Sequence, residues 1–295
     1  MTSWTRRTAC LSTLAAPLIL RRGLARAEES EPALAAIERR LGGRLGVSAG
    51  TQAGVVLSHR ADELFPMCST FKALAAAAVL ARVDAGSESL DRAIAFGPDD
   101  LLSYAPITRK TLEAGGGTGR MTVSDLCAAA LEWSDNSAAN LLLTALGGPE
   151  ALTLWLRGIG DSVTRLDRNE PTLNTALPGD PRDTTSPAAM RDTLGRVLVG
   201  PVLSAASRAR LEAWMAASRT GLKRIRAGLP PDWPVGDKTG TGDNGTFNDV
   251  AILRPPGHAP VFACVYITGA QVPAEAVEAA YAEIGRLVAA RAGGA

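Results

Sequence analysis

Valine-bearing, alternating segments stand near both ends of this chain, and most of what lies between reads as helix or polar loop. Arg44 to Gly50 and Gly54 to His59 alternate on either side of Thr51-Gln52-Ala53, the pattern of a β-hairpin. Far along the chain, Trp233 to Gly240, Thr246 to Arg254 and Pro260 to Gly269 read as three more strands with short turns. Helices fit Glu31–Leu41, Thr122–Trp133, Ser137–Leu146, Pro187–Val199, Ser204–Ala217 and Ala274–Ala290. One sheet built from the two termini, with a helical domain inserted in the middle, accounts for this order. Asp84 to Gly119 is polar and glycine-rich with little periodicity, and within it Leu102-Ser103-Tyr104-Ala105-Pro106 reads as a loop over a cleft. Leu166 to Thr185 is a second long polar loop, and a loop of that length inside a compact domain usually has a function.

The first 27 residues read as an export signal. Arg6-Arg7 precede an apolar run from Ala9 to Leu20, and Ala25-Arg26-Ala27 offers a small-x-small cleavage site ahead of Glu28-Glu29. The apolar run is too short to span a bilayer, so no membrane span is expected in the mature chain. Both a general secretory and a twin-arginine signal fit. A net charge of +1 and 4% aromatic residues argue against nucleic acid or an acidic membrane surface as partner. Phosphate-loop and dinucleotide fingerprints are absent, and two histidines without a Cys/His cluster argue against a zinc site, so no cofactor and no metal is expected. Beyond the signal, Cys68, Cys127 and Cys264 are an odd set at scattered spacing, which is not a disulfide framework. Cys68, between Met67 and Phe71, reads as a small buried hydrophobe.

The chemistry centres on Met67-Cys68-Ser69-Thr70-Phe71-Lys72, followed by the alanine- and leucine-rich run Ala73 to Ala81. That run has strong helix propensity, which puts Ser69 at a helix start and Lys72 on the same face. A serine there has unpaired backbone N–H groups beside it, able to stabilise an oxyanion, and a buried lysine next to it is a candidate proton acceptor. An isolated pair of this spacing is more often a helix cap with a solvated cation. Here lysine occurs only at Lys72, Lys110, Lys223 and Lys238 among 31 Lys+Arg, so lysine at 72 is not the chain's generic cation. Gly46-Val47-Ser48-Ala49-Gly50 also matches a nucleophile elbow formally, but that motif needs a strand, a turn and a helix, and a second strand follows instead. Ser48 is therefore read as a decoy. Ser134-Asp135-Asn136 breaks two apolar helices, either as a capping turn or as side chains presented to a site.

Lys238-Thr239-Gly240 puts another lysine on a strand whose glycines allow a ligand close approach. In one order the chain thus carries Ser69-x-x-Lys72, Ser134-Asp135-Asn136, Glu170-x-x-x-Asn174 and Lys238-Thr239-Gly240. Together with Arg168-Asn169-Glu170-Pro171-Thr172-Leu173-Asn174, Gly179-Asp180-Pro181-Arg182-Asp183-Thr184-Thr185 and Gly236-Asp237-Lys238-Thr239-Gly240-Thr241-Gly242, they make the chain resemble a class A serine β-lactamase from about Glu31 to its end. The resemblance implies an α/β fold of the α+β type: an antiparallel sheet of about five strands flanked by helices, an inserted all-helical domain, and the active site at their junction. Residues 28–61 and 218–295 would form the α/β domain, and residues 62–217 the helical one, with an Ω-loop at 166–185.

The resemblance also implies roles. Ser69 would attack a β-lactam carbonyl, with the N–H groups of Ser69 and Thr241 as oxyanion hole. Lys72, or Glu170 through a water, would take its proton. Ser134 would pass a proton to the lactam nitrogen, and Glu170 with Asn174 would hold the deacylating water. Lys238, Thr239, Gly240, Thr241 and Arg224 would bind the substrate carboxylate, Asn136 its acylamide group, and Tyr104 would line the cleft. Arg226 and Lys223 are alternatives to Arg224. An Arg168–Asp183 ion pair is expected to close the Ω-loop neck. The chain departs from the family pattern at Ala76, which leaves Cys127 without the partner some members have. At Gly242 the second cysteine of a carbapenem-hydrolysing branch is absent, and Phe247 stands where some members carry an arginine. The expected enzyme is an exported, periplasmic or secreted monomer acting on a small β-lactam. Its rivals are a penicillin-binding peptidase or transpeptidase, which lacks a dedicated water base, and a β-lactam-sensing domain, which needs a membrane segment.

Overall fold

A computed structural model describes Met1 and residues 32–293, so the expected export segment, Met1 apart, lies outside the described residues. Helix α1 covers residues 32–41. Strands β1 (Arg44–Thr51) and β2 (Gly54–His59) form the expected antiparallel hairpin, with a bulge between Ala49 and Gly50. A short strand β3 (Phe65–Pro66) leads through a single 3₁₀ turn, Cys68–Thr70, into α2 (Phe71–Asp84). Every residue of α2 from Phe71 to Leu80 is buried, as befits a helix apolar all round, and its alanines let the surrounding helices approach closely.

The stretch from Asp84 to Gly119 differs from its loop expectation. It holds strand β4 (Ala93–Phe96) and helix α3 (Pro106–Ala114), and β4 pairs with β5 (Gly119–Thr122). The reason α3 begins where it does lies elsewhere in the chain. Its first free N–H groups, on Ile107 and Thr108, both donate to Asp135 Oδ2 at 2.9 Å, a cap supplied from a distance of 27–28 residues. Helices α4 (Val123–Glu132) and α5 (Asn136–Leu146) then follow the expected break, α4 capped by Thr122 and α5 by Asp135. Helix α6 (Pro149–Gly158), not anticipated, starts with proline in its first turn. After the long loop come strand β6 (Thr184–Thr185), α7 (Pro187–Leu198) and α8 (Ala205–Ala216), each helix capped by a serine.

Strands β7 (Val235–Gly242), β8 (Thr246–Leu253) and β9 (Val261–Thr268) complete a five-stranded sheet of order β2-β1-β9-β8-β7, antiparallel throughout. Strand β7 starts two residues later than Trp233 because Pro234 has no N–H for the ladder. Both faces of the sheet are covered. On β9, Val261, Ala263, Val265 and Ile267 pack with α1 and the closing helix α9 (Ala274–Ala292), while Phe262, Cys264 and Tyr266 pack with the α2 side. Burying both faces roots β7, the sheet's edge strand, against the 3₁₀ turn that carries Ser69. Gly240 shows how close that approach is: a Cβ there would stand 2.7 Å from Met67 O and 3.2 Å from Ser69 N.

Candidate active site

The turn Cys68–Thr70 presents Ser69 with its side chain nearly covered, at 7% exposure. Cys68, before it, has φ +45°, a left-handed conformation unusual for a side-chain-bearing residue, and Ser134 shares it at φ +58°. Non-glycine residues in that region cost free energy that surrounding contacts must over-determine. At Ser134 those contacts come from both lysines of the site. Cys68 is a free, buried thiol that burial pushes up to about 12, so it behaves as the small hydrophobe expected.

Lys72 is wholly buried and lies one turn along from Ser69. Its ammonium meets Ser134 O at 2.8 Å, Asn136 Oδ1 at 2.6 Å and Glu170 Oε1 at 3.0 Å. With Ser134 Oγ at 3.3 Å as a fourth acceptor, the three protons of the ammonium are shared among four oxygens. Burial pulls Lys72 below the ordinary lysine value, and the Glu170 charge pushes back. Ser134 Oγ accepts from Lys238 Nζ at 3.0 Å and from Lys72 Nζ at 3.3 Å, which occupies its lone pairs and leaves its own proton for another acceptor. Lys238 also reaches Thr239 O at 2.7 Å, and Thr239 Oγ1 shares a hydrogen bond of 2.6 Å with Thr220. Burial first, and then the charges of Lys72 and Arg224, hold Lys238 well below the ordinary lysine range.

Glu170 enters from the long loop, 4% exposed, and the peptide bond that follows it, Glu170–Pro171, is cis. Its Oε1 accepts from Ser69 Oγ at 3.0 Å, so the serine is bonded to this carboxylate directly. Its Oε2 accepts from Asn174 Nδ2 at 2.5 Å. The loop is pinned at two levels. Asn140 of α5, a residue sequence reading missed, donates to Glu170 O and accepts from Glu170 N, both at 2.9 Å. At the neck, buried Asp183 accepts from Arg168 Nε at 2.5 Å and from the N–H groups of Asp167 and Arg168 at 2.7 and 2.9 Å. Arg168 also faces Asp180 at 3.7 Å. An exposed ion pair is worth about 0–1 kcal/mol, whereas breaking a buried one on one side costs about 3–5 kcal/mol. With Asp183 at 1% side-chain exposure, this neck belongs with the second kind. Asp183 O in turn holds Met67 N at 2.8 Å, coupling the neck to the serine turn.

The far side of the cleft is β7. Gly242 is wedged between the loop and the serine turn: a Cβ there would lie 2.6 Å from Asn174 O and 2.7 Å from Cys68 Sγ. Arg224 lies under this strand. Its guanidinium donates to Gly240 O at 2.8 Å, to Thr241 Oγ1 at 2.6 Å and to Asn248 O, and rests over the rings of Tyr281 and Phe247. The two alternative cations are engaged elsewhere, Arg226 with Asp237 at 3.3 Å and Lys223 with Glu278 at 3.3 Å. Tyr104 is half exposed on the loop before α3, and its carbonyl accepts from Asn136 N at 3.0 Å, which ties that loop to the site. Ser48 is remote from this cluster. It is buried on β1, where its hydroxyl accepts from Arg191 at 2.9 Å.

A sequence model described as the Beta-lactamase enzyme family matches residues 30–292. Beta-lactamase CTX-M-8 of Citrobacter amalonaticus is 47% identical over 271 residues, 91% of this chain and 90% of that protein. Beta-lactamase OXY-1 of Klebsiella oxytoca is 44% identical over 289 residues, 97% of each. Among solved structures, an ancestral (GNCA) class A β-lactamase superposes with a TM-score of 0.84 at 60% identity, covering 88% of this chain and 98% of that one. With a sheet of the same kind and a family match spanning nearly all the described residues, the chain belongs to the class A serine β-lactamases.

Proposed function

We propose that this enzyme hydrolyses β-lactams through an acyl-enzyme on Ser69, with Glu170 as the proton acceptor in both half-reactions. The observation that carries the reading is the buried chain Ser69 Oγ–Glu170 Oε1–Lys72 Nζ–Ser134 Oγ, with links of 3.0, 3.0 and 3.3 Å. In acylation Ser69 Oγ bonds to the lactam carbonyl carbon and its proton passes to Glu170. The oxyanion is taken by the N–H groups of Ser69 and Thr241, backbone donors that need no reorganisation as charge develops. As the C–N bond breaks, the nitrogen takes the Ser134 proton, Ser134 recovers one from Lys72, and Lys72 one from Glu170. The carboxylate ends the step ionised. With Ser69 now esterified, Glu170 Oε1 has lost its serine donor and accepts a proton from a water, while Asn174 holds Oε2. That water attacks the ester, and Ser69 regains its proton.

Lys238, Thr239, Thr241 and Arg224 receive the substrate carboxylate, Gly240 gives it room, Asn136 takes the acylamide group, and Tyr104 walls the cleft. The enzyme works as an exported monomer after loss of residues 1–27, a setting supported by Arg6-Arg7, the apolar run and Ala25-Arg26-Ala27. Steady-state assays with a penicillin, a cephalosporin and a carbapenem test the function. Many turnovers per enzyme on at least one of them are expected, and a single stoichiometric burst on all three would favour a penicillin-binding peptidase.

Two measurements test the carboxylate pocket. Charge-assisted hydrogen bonds are worth about 1.5–3 kcal/mol, so Arg224→Ala is expected to cut kcat/KM by about ten- to a hundredfold. An ester analogue without a free carboxylate should lose much less, and equal losses would remove Arg224 from the pocket. The second measurement is a pH profile. Lys238 is a cation below its pKa and neutral above it, and that pKa lies well below 10.5. Carboxylate binding is therefore present on the acid side and lost as pH rises through that value. Lys238→Arg should push the alkaline loss in kcat/KM to higher pH, because a guanidinium keeps its charge. An unmoved limb would assign it to another group.

A further inference from the structure

The two N–H groups assigned to the oxyanion belong to different elements, Ser69 to the 3₁₀ turn Cys68–Thr70 and Thr241 to strand β7. Such a pair serves a developing charge only while its separation is held, and the two residues are far apart in the chain. Asn248 of β8 ties the two elements together. It is fully buried and stands opposite Gly240, the residue before Thr241, in the β7–β8 register. Its Nδ2 donates to Pro66 O at 2.8 Å and to Met67 O at 3.0 Å, the two carbonyls that lead into the serine turn. Its backbone oxygen accepts from the Arg224 guanidinium. Gly240, bearing no Cβ, leaves Met67 O the space to come down onto β7.

Met67 O is the hub of this contact. Besides Asn248 Nδ2 it accepts from Thr70 Oγ1 at 2.8 Å and from Thr70 N at 3.2 Å. The two Thr70 bonds lie inside the turn and would survive if the turn moved as a body, whereas the Asn248 bond crosses to it from the sheet. Tyr266 of β9, opposite Asn248 in the β8–β9 register, adds a longer link, its hydroxyl 3.3 Å from Thr70 Oγ1. Between Met67 O and Ser69 N stands only Cys68, at φ +45°. A side-chain-bearing residue keeps that conformation only where its surroundings over-determine it, and the Met67 carbonyl fixes the peptide plane on one side of that rotation. Asn248 Oδ1, meanwhile, is buried without a partner. An orphaned acceptor is destabilising, so the amide is kept for its two donors and not for its packing.

We infer that Asn248 is a positioning residue for the oxyanion hole: its amide, bonded to Met67 O, fixes the Ser69 N–H at its distance from the Thr241 N–H. It acts through Met67 and Cys68 and not by touching the substrate. The inference rests on the reading of those two N–H groups as the oxyanion donors, and adds what holds them in register.

Asn248→Leu removes both donors and keeps a side chain of similar length. Its kcat on a good β-lactam substrate should fall about ten- to a hundredfold, the scale of a misplaced oxyanion donor, with KM within about threefold of wild type. A merely structural role would not produce a second result, read with a boronic acid that carries the acylamido group of the same substrate. Boron accepts a lone pair from Ser69 Oγ and becomes tetrahedral, which sets one of its oxygens where the oxyanion stands. Its Ki should rise about tenfold in Asn248→Leu. An unchanged Ki in the folded variant, or a raised KM with kcat unaltered, overturns the inference. Should Asn248→Leu fail to fold, the same two measurements on Asn248→Ala decide it. Boron NMR of the wild-type complex separates the two levels of the reading. A tetrahedral signal that Ser69→Ala abolishes is expected, and its absence would overturn the nucleophile assignment together with this inference. The signal present with Ki unmoved in the Asn248 variant overturns the inference alone.

Discussion

Glu170→Ala is expected to stop the reaction half-way, leaving a covalent adduct on Ser69 that persists through hours of intact-protein mass spectrometry. The two half-reactions respond differently because Lys72 can replace the carboxylate in one of them only. In the native site the Glu170 charge is what holds the Lys72 pKa up against burial. Remove that charge, and burial drives Lys72 toward the neutral amine, one turn from Ser69 and able to take its proton. Acylation slows but continues. Deacylation has no such substitute, since Asn174 offers an amide and Asn140 is committed to the Glu170 backbone. A positioned general base is worth about 10²–10⁴-fold, and the deacylation rate should fall by that much. Turnover at the wild-type rate with no adduct would return the loop acid to a structural role.

Ser69→Ala carries the largest expected effect, a loss of turnover on the order of 10⁶-fold, the scale on which serine nucleophile deletions fall in other hydrolases. No second nucleophile stands ready. Ser134 has both lone pairs engaged by Lys72 and Lys238, and the Cys68 thiol is held protonated by burial. The matching control is Ser48→Ala, which removes one hydrogen bond from Arg191 on a remote strand. That bond is worth about 1 kcal/mol of stability and nothing to the chemistry, so Ser48→Ala should turn over like wild type well below its melting temperature. Folded Ser48→Ala without activity would overturn the choice of nucleophile.

Residue order alone determined those features of this protein that depend on neighbours in the chain. Alternation wrote the five strands of the main sheet, and the alanine run after Ser69 wrote α2. The three-residue spacing that puts Lys72 on the Ser69 face is a property of any helix. Tertiary structure decided what depends on distance through space. Helix α3 was hidden because its cap, Asp135, comes from another element, and Asn140 was hidden because only the returning loop gives its amide a partner. The bond between Ser69 and Glu170 joins residues 101 apart in sequence. How firmly Lys72 and Lys238 hold their protons follows from how much water and which charges the completed fold leaves around each one. Periodicity and propensity act along a few residues, whereas desolvation and Coulomb fields exist only once distant segments have closed upon one another.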